Sequence, residues 1–452
     1  MVRSRRFYVF NFKVLVEKIN GYGYRYSLKE FVTCLLGISA VVLSLGIAMG
    51  IKLFGLLWVF AGVFSIVPFV ILYQYESLYE QQKFSDAVDY MEYMIYGFMR
   101  TPKIVNAMEE TAKLCDGTMK QCIQRAIDRI RYADLYSDIY ADAFWNVEKE
   151  YGTERMEALH RFLIQIEQQG GEYKKSLEIL LEDIRQWSDM VYLLQKERKE
   201  FQRKVSISII LSAATAVTMV GFLPQEVGNI TENMLYQVSS TVFILLSMGI
   251  FVLSRKSLVR SWLKGQEEQG VVEKAYEYCL ECRKKKKRHY KFMVKKVKNH
   301  IKKEFPVWLR NVILNMNTEN VFVAMEKAAE NSSYVLKNEL RKTLREIERE
   351  PGSMKGYQGF LKEFEITEVR SVFLMFYSLN EFGTKEAEEQ INSIITRNNK
   401  LLEQSERIRN EESLGIFGVY MLCPMVLAAG KMLLDMWVFV QQFLIFYSSV
   451  IT

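Results

Sequence analysis

The residues best suited to chemistry are two cysteines and two histidines in the second half of the chain. Cys279 and Cys282 form a C-x-x-C pair, and His289 and His300 follow them. Two cysteines and two histidines are one ligand set for tetrahedral zinc. Here the histidines follow at intervals of six and ten residues in a lysine-rich segment, which is unlike zinc-finger spacing. We therefore expect no metal site and interpret the cysteines as incidental.

Patterns for other chemistry are incomplete. A phosphate-binding loop of the G-x-x-x-x-G-K-[ST] type needs an upstream glycine and a hydroxyl, and Gly430-Lys431 has neither. The glycine-rich stretch PGSMKGYQG (351–359) follows no predicted strand, so we interpret it as a surface loop. His160 stands alone in a helical pattern. We expect no catalytic residue, no cofactor and no enzymatic activity.

The elements that position these residues are dominated by long apolar runs. A helix needs ~20 apolar residues to cross the hydrocarbon core of a bilayer. Five such runs are free of Asp, Glu, Lys, Arg and His, and we predict five spanning helices from them: Phe31–Ile51, a run that begins at Leu53, Val205–Gln225, Tyr236–Ser254 and Ser413–Gly430.

The C-terminal tail, 436–452, is also uncharged but slightly short for a span. Only KMLLD (431–435) separates it from the fifth run, and KMLLD has no Gly or Pro for a tight turn. We favour an interfacial helix for the tail and keep a sixth span as the alternative.

The distribution of basic residues predicts the orientation, because Lys and Arg concentrate on the cytoplasmic side of membrane proteins. The first 30 residues are rich in Lys and Arg, and the segment after the fourth run contains CRKKKKRHYKF. The loop EVGNITENMLY (226–236) has two Glu and neither Lys nor Arg. We therefore predict a cytoplasmic N-terminus and an external 226–236 loop.

The segments between the runs have the period of amphipathic helices. Phe84, Met91 and Phe98 share one helical face, as do Leu177, Ile184 and Val191. These patterns predict an all-α, polytopic membrane protein with two cytoplasmic antiparallel helical bundles. The predicted parts are a basic N-terminus (1–30), hairpin 1 (31–75), bundle 1 (76–204), hairpin 2 (205–254), a basic segment with bundle 2 (255–412), the fifth span (413–434) and the apolar tail (435–452).

The two bundles carry an internal repeat at an offset of 217 residues. The strings IYGFMRTPKIVNAMEETA (95–112) and VILNMNTENVFVAMEKAA (312–329) are identical at six of 18 positions. The identities include Thr101/Thr318, Ala107/Ala324 and Glu109/Glu326. A common helix-forming triplet explains A-M-E but not the aligned Thr and Met, so we interpret the pair as two copies of one unit.

The repeated residues suggest specific roles. Thr101 stands before Pro102, and Thr318 before Glu319, so each Thr is predicted as a helix N-cap. Small Ala107 and Ala324 would permit close helix contact. Downstream, a predicted helix ends at Gly171 in copy 1 and after Glu381, at Gly383, in copy 2, because glycine tolerates a positive φ.

A basic tract precedes the second bundle, with 12 Lys and Arg and no acid from Arg283 to Lys303. Nucleic-acid binding is one use of such a tract, but contact with anionic lipid headgroups suits a membrane-proximal segment better, and an acidic patch on a partner protein is a further hypothesis. The residues predicted to make lipid or partner contact are Lys284, Lys285, Lys286, Lys287, Arg288, Lys295 and Lys296.

The order of these motifs resembles a known family. RTPKIVNAMEE and QQGGEYKKSLEIL in copy 1, and NTENVFVAMEK and NEFGTKEAEEQI in copy 2, resemble the motifs of the F-type inner-membrane platform proteins of type II secretion systems and type IV pili. The resemblance covers roughly residues 80–430. Hairpins before copy 1 and between the copies resemble the tight-adherence pilus branch. Gln169 stands at a position where the family has Glu, and copy 2 departs more from the pattern.

The resemblance implies a non-enzymatic platform in the bacterial inner membrane. Its implied partners are a hexameric cytoplasmic secretion ATPase, pilin or pseudopilin subunits, and a second copy or a paralogue as a dimer partner. The alternatives are a membrane-anchored scaffold or signalling protein and, less favoured, a transporter. Transporters usually place ionisable groups at membrane depth, and the five runs have none.

Overall fold

The computed structural model describes residues 12–132, 139–171, 173–222, 230–263, 269–281, 288–316, 319–350, 352–361, 364, 366–381 and 384–451. Within these ranges every regular element is helical, which confirms the predicted all-α class. The α-helices are α1 (Phe12–Gly21), α2 (Leu28–Ala48), α3 (Leu53–Arg100), α4 (Ile104–Leu114), α5 (Gly117–Arg131), α6 (Ile139–Tyr151), α7 (Glu154–Gln169), α8 (Lys174–Phe222), α9 (Met234–Lys256), α10 (Gln269–Glu281), α11 (Arg288–Asn315), α12 (Val321–Glu330), α13 (Tyr334–Arg349), α14 (Met354–Gly359), α15 (Thr367–Glu381) and α16 (Thr384–Ile451).

The chain divides into two compact units. The first, here the apolar unit, contains Met1–Gln82, Leu194–Ser261 and Ser413–Thr452. The second, here the bundle unit, contains Lys83–Leu193 and Trp262–Glu412. Helices α3, α8 and α16 each contribute residues to both units. Most of the two segments predicted as bundles, 76–204 and 255–412, therefore lies in one compact unit, and 76–82, 194–204 and 255–261 belong to the apolar unit.

The apolar unit contains the predicted spanning segments. Five helices in the described chain are long and apolar enough to cross a membrane, namely α2, α3, α8, α9 and α16. Only 11% of the apolar window of α2 is buried within the protein, and residues such as Leu36 and Val41 are exposed. Exposed apolar side chains on every turn suit a lipid environment, because water would penalise them. A multi-pass membrane protein accounts for this surface.

The turn between α2 and α3 lies against the start of α9. Gln237 at the start of α9 accepts from the Lys52 backbone N–H at 2.7 Å and donates to the Gly50 carbonyl at 2.8 Å. Its neighbour Tyr236 is buried and donates through its hydroxyl to the Met49 carbonyl at 2.7 Å. Gly50 has a φ of +66°, which glycine adopts without strain. These bonds satisfy carbonyls at the end of α2, which an apolar setting would otherwise leave unpaired.

An ion pair lies within α16 at this same end of the apolar unit. Lys431 bonds Asp435 one turn further along the helix, and both side chains are buried. The Lys431 ammonium also lies 4.0 Å from the centre of the Tyr236 ring. Lys431 lies one residue beyond the charge-free run Ser413–Gly430, and it falls inside the predicted fifth span, 413–434. The apolar stretch of α16, Phe417–Ser448, includes the pair.

The C-terminal tail is the continuation of α16. One helix runs without interruption from Thr384 to Ile451, so the tail is neither the separate interfacial helix that we favoured nor a separate sixth span, since either needs a break after the fifth run. Apolar side chains beyond Asp435, such as Trp437 and Leu444, are exposed, whereas Val438 packs with Ile230 and Tyr236. The absence of Gly and Pro from KMLLD explains this continuity.

The bundle unit contains the repeat as two sets of six helices. Copy 1 consists of the end of α3 followed by α4–α8, and copy 2 consists of α11–α16. The predicted faces are buried: Phe84, Met91 and Phe98 in α3, and Leu177 and Ile184 in α8. Helices α8 and α16 both continue from the bundle unit into an apolar stretch, and neither has a Pro or Gly before its charge-free run.

Two sequence interpretations need correction. The predicted boundary between hairpin 1 and bundle 1 at 75/76 is not the end of an element, because α3 is continuous from Leu53 to Arg100. The described part of PGSMKGYQG is not a surface loop: it contains α14, in which Gly356 and Tyr357 are buried. A Cβ on Gly356 would lie 3.1 Å from the Ile347 nitrogen, so glycine permits α14 to pack against α13. α14 occupies the place in copy 2 that α6 has in copy 1.

The Lys431–Asp435 pair yields a first prediction. Replacing one partner leaves the other charge buried and unpaired, which costs about 3–5 kcal/mol for pairs of this kind, whereas replacing both by apolar groups is nearly neutral. We expect Lys431→Met and Asp435→Leu each to lower the thermal unfolding temperature of the detergent-purified protein, and the double variant to recover most of the loss. Single variants as stable as the wild-type protein would contradict this role.

Candidate functional site

The repeated motif marks a close crossing of two helices in copy 1. Ala107 is fully buried in α4, and a Cβ on Gly97 of α3 would lie 3.1 Å from the Ala107 Cα. The missing side chain of Gly97, together with the small one of Ala107, therefore permits the close helix contact that the sequence predicted. In copy 2, Ala324 is likewise fully buried, and Asn315 of α11 donates to its carbonyl at 3.4 Å.

The predicted N-cap of copy 1 is wrong. Helix α4 begins at Ile104, its N-cap is Lys103 without a side-chain bond, and Thr101 lies in the preceding bend. A carboxylate from α7 replaces the local cap: Glu167 accepts from the Ile104 N–H at 2.6 Å and from the Tyr140 hydroxyl at 3.0 Å. The negative charge accepts a hydrogen bond from an N–H that has no partner within the helix, and it is attracted to the positive, N-terminal end of the helix dipole.

Copy 2 uses a different residue for the same purpose. Helix α12 begins at Val321, and Asn320 is its N-cap, accepting from the Val323 N–H at 2.9 Å. Thr318, which we predicted as the cap, lies two residues before the N-cap and outside the described residues. Lys103 and Asn320, and not the aligned threonines, are therefore the N-cap residues of α4 and α12.

The remaining motif positions have varied surroundings. Glu109 forms an exposed ion pair with Arg131 of α5, and Glu326 is exposed on α12. Gly171 follows the C-cap Gly170 of α7 and has a φ of +112°, which confirms a glycine-dependent helix end. The structure thus separates the motif into buried, capping and surface positions.

The predicted contact surface extends beyond the described residues. Lys284, Lys285, Lys286, Lys287 and Gly383 lie outside the described residues. Arg288 begins α11 and Glu381 ends α15, and their side chains are not among those described. Lys295 is exposed and Lys296 half-buried on α11.

His160 is the centre of a buried polar cluster in copy 1. Its Nδ1 lies 2.7 Å from Glu148 Oε1, its Nε2 lies 2.9 Å from the Tyr90 hydroxyl, and its ring stacks on Phe144 at 3.8 Å. These partners fit a neutral ring that donates from Nδ1 to Glu148 and accepts at Nε2 from Tyr90. Burial lowers the pKa of His160 and outweighs the opposing effect of Glu148. The cluster has the geometry of a satisfied core histidine.

The seam between the two copies contains four buried charged residues, here the seam network: Arg155 (α7) and Asp183 (α8) from copy 1, and Arg310 (α11) and Glu406 (α16) from copy 2. Asp183 accepts from Arg155 Nε at 3.2 Å and also pairs with Arg310. Arg155 Nη2 lies 3.4 Å from Glu406 Oε1. Each copy thus contributes one base and one acid, and two of the three contacts connect the copies.

The charges of the seam network are mutually compensated. Burial alone would lower the pKa of Arg155, but the carboxylates of Asp183 and Glu406 raise it above its ordinary value. The Arg155 guanidinium also lies 4.9 Å from the centre of the Trp187 ring. Buried charges persist where such partners replace water.

The seam network was missed in the sequence. A signal was present, because Arg310 interrupts the apolar stretch VWLRNVIL (307–314), and Asp183 adjoins the buried residues Leu181 and Ile184. An ionisable residue beside an apolar helical face predicts a buried partner.

The described chain contains no group of three or more His, Cys, Asp or Glu arranged to hold a metal ion. Cys279 of the C-x-x-C pair is buried in α10, and Cys282 lies outside the described residues. His300 is buried and lies 3.2 Å from the Ser333 hydroxyl.

Comparisons with protein-family models, with curated proteins and with solved structures found no match.

The seam network generates a second prediction. Asp183→Asn keeps the side-chain shape but leaves two buried arginines short of a carboxylate, so we expect a loss of about 3–5 kcal/mol in unfolding free energy. Thermal unfolding of the purified full-length variant and wild-type proteins measures this loss in unfolding free energy. The matched control is Asp142→Asn, in the exposed Arg129–Asp142 pair, where the loss should stay below about 1 kcal/mol. Equal effects of the two substitutions would contradict a special role for the seam network.

The His160 cluster predicts a pH dependence. The pKa of His160 in the native protein is below the ordinary 6.5. As the pH falls, His160 is therefore protonated at a higher pH in the unfolded chain than in the native protein. The stability contributed by neutral His160 is complete above about pH 6.5 and decreases below it. We expect the advantage in unfolding temperature of wild type over His160→Gln to shrink between pH 7.5 and pH 5.5. An advantage that grows with acidity would show that the buried ring prefers the protonated form.

Proposed function

We propose that the chain is a platform protein of the bacterial inner membrane in a type II secretion or type IV pilus machine, closest to the tight-adherence branch. In this role it couples a cytoplasmic hexameric ATPase to the extraction and assembly of pilin or pseudopilin subunits. The N-terminus and the bundle unit are proposed to be cytoplasmic.

One observation carries the proposal. A six-helix unit occurs twice, and the last helix of each copy, α8 or α16, continues into a long apolar stretch. A helix that belongs to a folded bundle at one end and to an apolar segment at the other suits mechanical coupling, because a continuous helix has no flexible linker along its length. The order of motifs along the chain adds the resemblance to platform proteins.

The joined copies support the same proposal. The seam network places Asp183 of copy 1 against Arg310 of copy 2 without solvent between them. Ile179 of copy 1 also packs against the apolar core of copy 2. A displacement of one copy would break buried ionic contacts, which is costly, so the two copies are expected to move together under force.

The proposed partners follow from exposed features. Lys295 and its basic neighbours on α11 offer positive charge to anionic lipid headgroups or to an acidic surface of the ATPase. Exposed apolar helices in the apolar unit offer surface to pilin segments and to a second copy or a paralogue.

The Lys431–Asp435 pair does not favour transport over this role. Its charges neutralise each other within one helix, and it packs beside Tyr236 at the hairpin-turn end of the apolar unit. Such a pair can hold α16 against α9 without binding a substrate.

Deleting the gene tests the proposal. We expect surface pili or the secreted substrate to disappear, with prepilin or pseudoprepilin still present in the inner-membrane fraction, and plasmid-borne wild type to restore them. A tagged full-length protein should recover the ATPase from detergent-solubilised membranes. Normal pili or secretion in the deletion strain would contradict the platform role.

A further inference from the structure

The outward side of α11 combines basic residues with an exposed phenylalanine. Lys291 and Lys295 are exposed, and Phe292 between them is 65% exposed. Lys295 stands four positions after Lys291 and three after Phe292, so the three side chains project from one side of the helix. We call these three residues the basic aromatic face.

The opposite side of α11 is fixed in the apolar core of copy 2. Val297 and Ile301 are completely buried there. The aromatic side chains of Phe305 and Trp308, further along the same helix, are buried in this core as well. Phe292 is by contrast mostly exposed, although water penalises an exposed phenyl ring.

No acidic residue offsets the positive charge in this part of the sequence. The tract from Arg283 to Lys303 has 12 Lys and Arg and no Asp or Glu. The outward side of α13 differs, because Glu346 lies directly after Arg345 and four residues before Glu350. A dense positive charge attracts an anionic surface within the Debye length, about 8 Å at physiological salt.

The repeat relates Phe292 to a position at the end of an apolar stretch in copy 1. At the offset of 217 residues, Phe292 corresponds to Tyr75 of α3, which belongs to the apolar unit and is the last residue of its uncharged stretch. In copy 2, Lys302 lines a small cavity together with Glu411 of α16. The apolar stretch of α16 begins about two turns later, at Phe417. Both relations favour a position close to the bilayer surface.

A bilayer surface with anionic lipid matches both components of the face. Headgroup phosphates pair with the ammonium groups of Lys291 and Lys295, and the apolar region below the headgroups accepts the ring of Phe292. An acidic protein surface would match the charges, but it would also need an apolar pocket for the ring.

We propose that the basic aromatic face docks on the cytoplasmic surface of the membrane, with Phe292 inserted between the headgroups of anionic phospholipids. The contact holds copy 2 against the bilayer through a helix that is not one of the five candidate spans. It rests on the cytoplasmic placement of the bundle unit proposed above, and it requires neither the platform role nor a partner protein.

Hydrogen exchange of the full-length protein in nanodiscs tests this contact in the absence of any partner. One nanodisc preparation contains phosphatidylcholine alone, and the other also contains about one third phosphatidylglycerol. We expect the amides around Phe292 to exchange at least about fivefold more slowly in the anionic nanodiscs. Added salt should reduce this difference, because it screens the lysines from the headgroups.

Variants of the face separate its two components. The double variant Lys291→Gln/Lys295→Gln and the single variant Phe292→Ser should each remove most of the difference between the nanodiscs. Both change only exposed side chains, so they should fold, and thermal unfolding checks this. The matched control is Arg341→Gln/Arg345→Gln, an exposed basic pair with the same spacing on α13, which should retain the wild-type difference.

Three results overturn the proposal: equal exchange around Phe292 in both nanodiscs, an equal gain of protection in α13, or a Phe292→Ser variant that behaves like wild type. If the lysine variant recovers less ATPase while wild type shows no lipid-dependent protection, the face is a protein contact and not a lipid contact. None of these results depends on the pili or secretion of the deletion strain, which test the platform role separately.

Discussion

The bundle unit depends on the contact between Asp183 and Arg310, which joins the two copies of the repeat. Asp183 also pairs with Arg155, and Arg155 reaches Glu406, so charges alternate across the seam. A buried carboxylate between two guanidinium groups is costly to expose singly but stable as a set. The neighbouring apolar surfaces alone would allow many relative positions, because hydrophobic contact has little direction. The directional bonds of the seam network favour one arrangement.

The repeat connects this seam to the apolar unit. Each copy ends in a helix that continues into an apolar stretch, α8 in copy 1 and α16 in copy 2. Asp183 lies on α8 and Glu406 on α16, so the seam network joins the same two helices that leave the bundle unit. Within the apolar unit, Tyr236 and Gln237 satisfy the carbonyls of Met49 and Gly50, and Lys431 pairs with Asp435 inside α16.

Local patterns in the sequence predicted the helices well. The spacing of Phe84, Met91 and Phe98 identified a buried face on α3, and that of Leu177, Ile184 and Val191 identified one on α8. Contacts between distant positions were beyond this reasoning. The Asp183–Arg310 and Arg155–Glu406 contacts join residues 127 and 251 positions apart, and Glu167 caps α4 from 63 positions away and replaces the predicted Thr101 cap. Helical periodicity carries no information about which faces meet, so these pairs require the three-dimensional fold.

Hydrogen exchange in the Arg310→Met variant tests most directly whether the two copies form one cooperative unit. This substitution lies in copy 2 and removes the charge that meets Asp183. If the seam couples the copies, amide protection must decrease in α7 and in the bundle part of α8, both in copy 1, as well as in α11 around the substitution. Loss of protection confined to copy 2, with α7 and α8 exchanging as in wild type, would contradict the account.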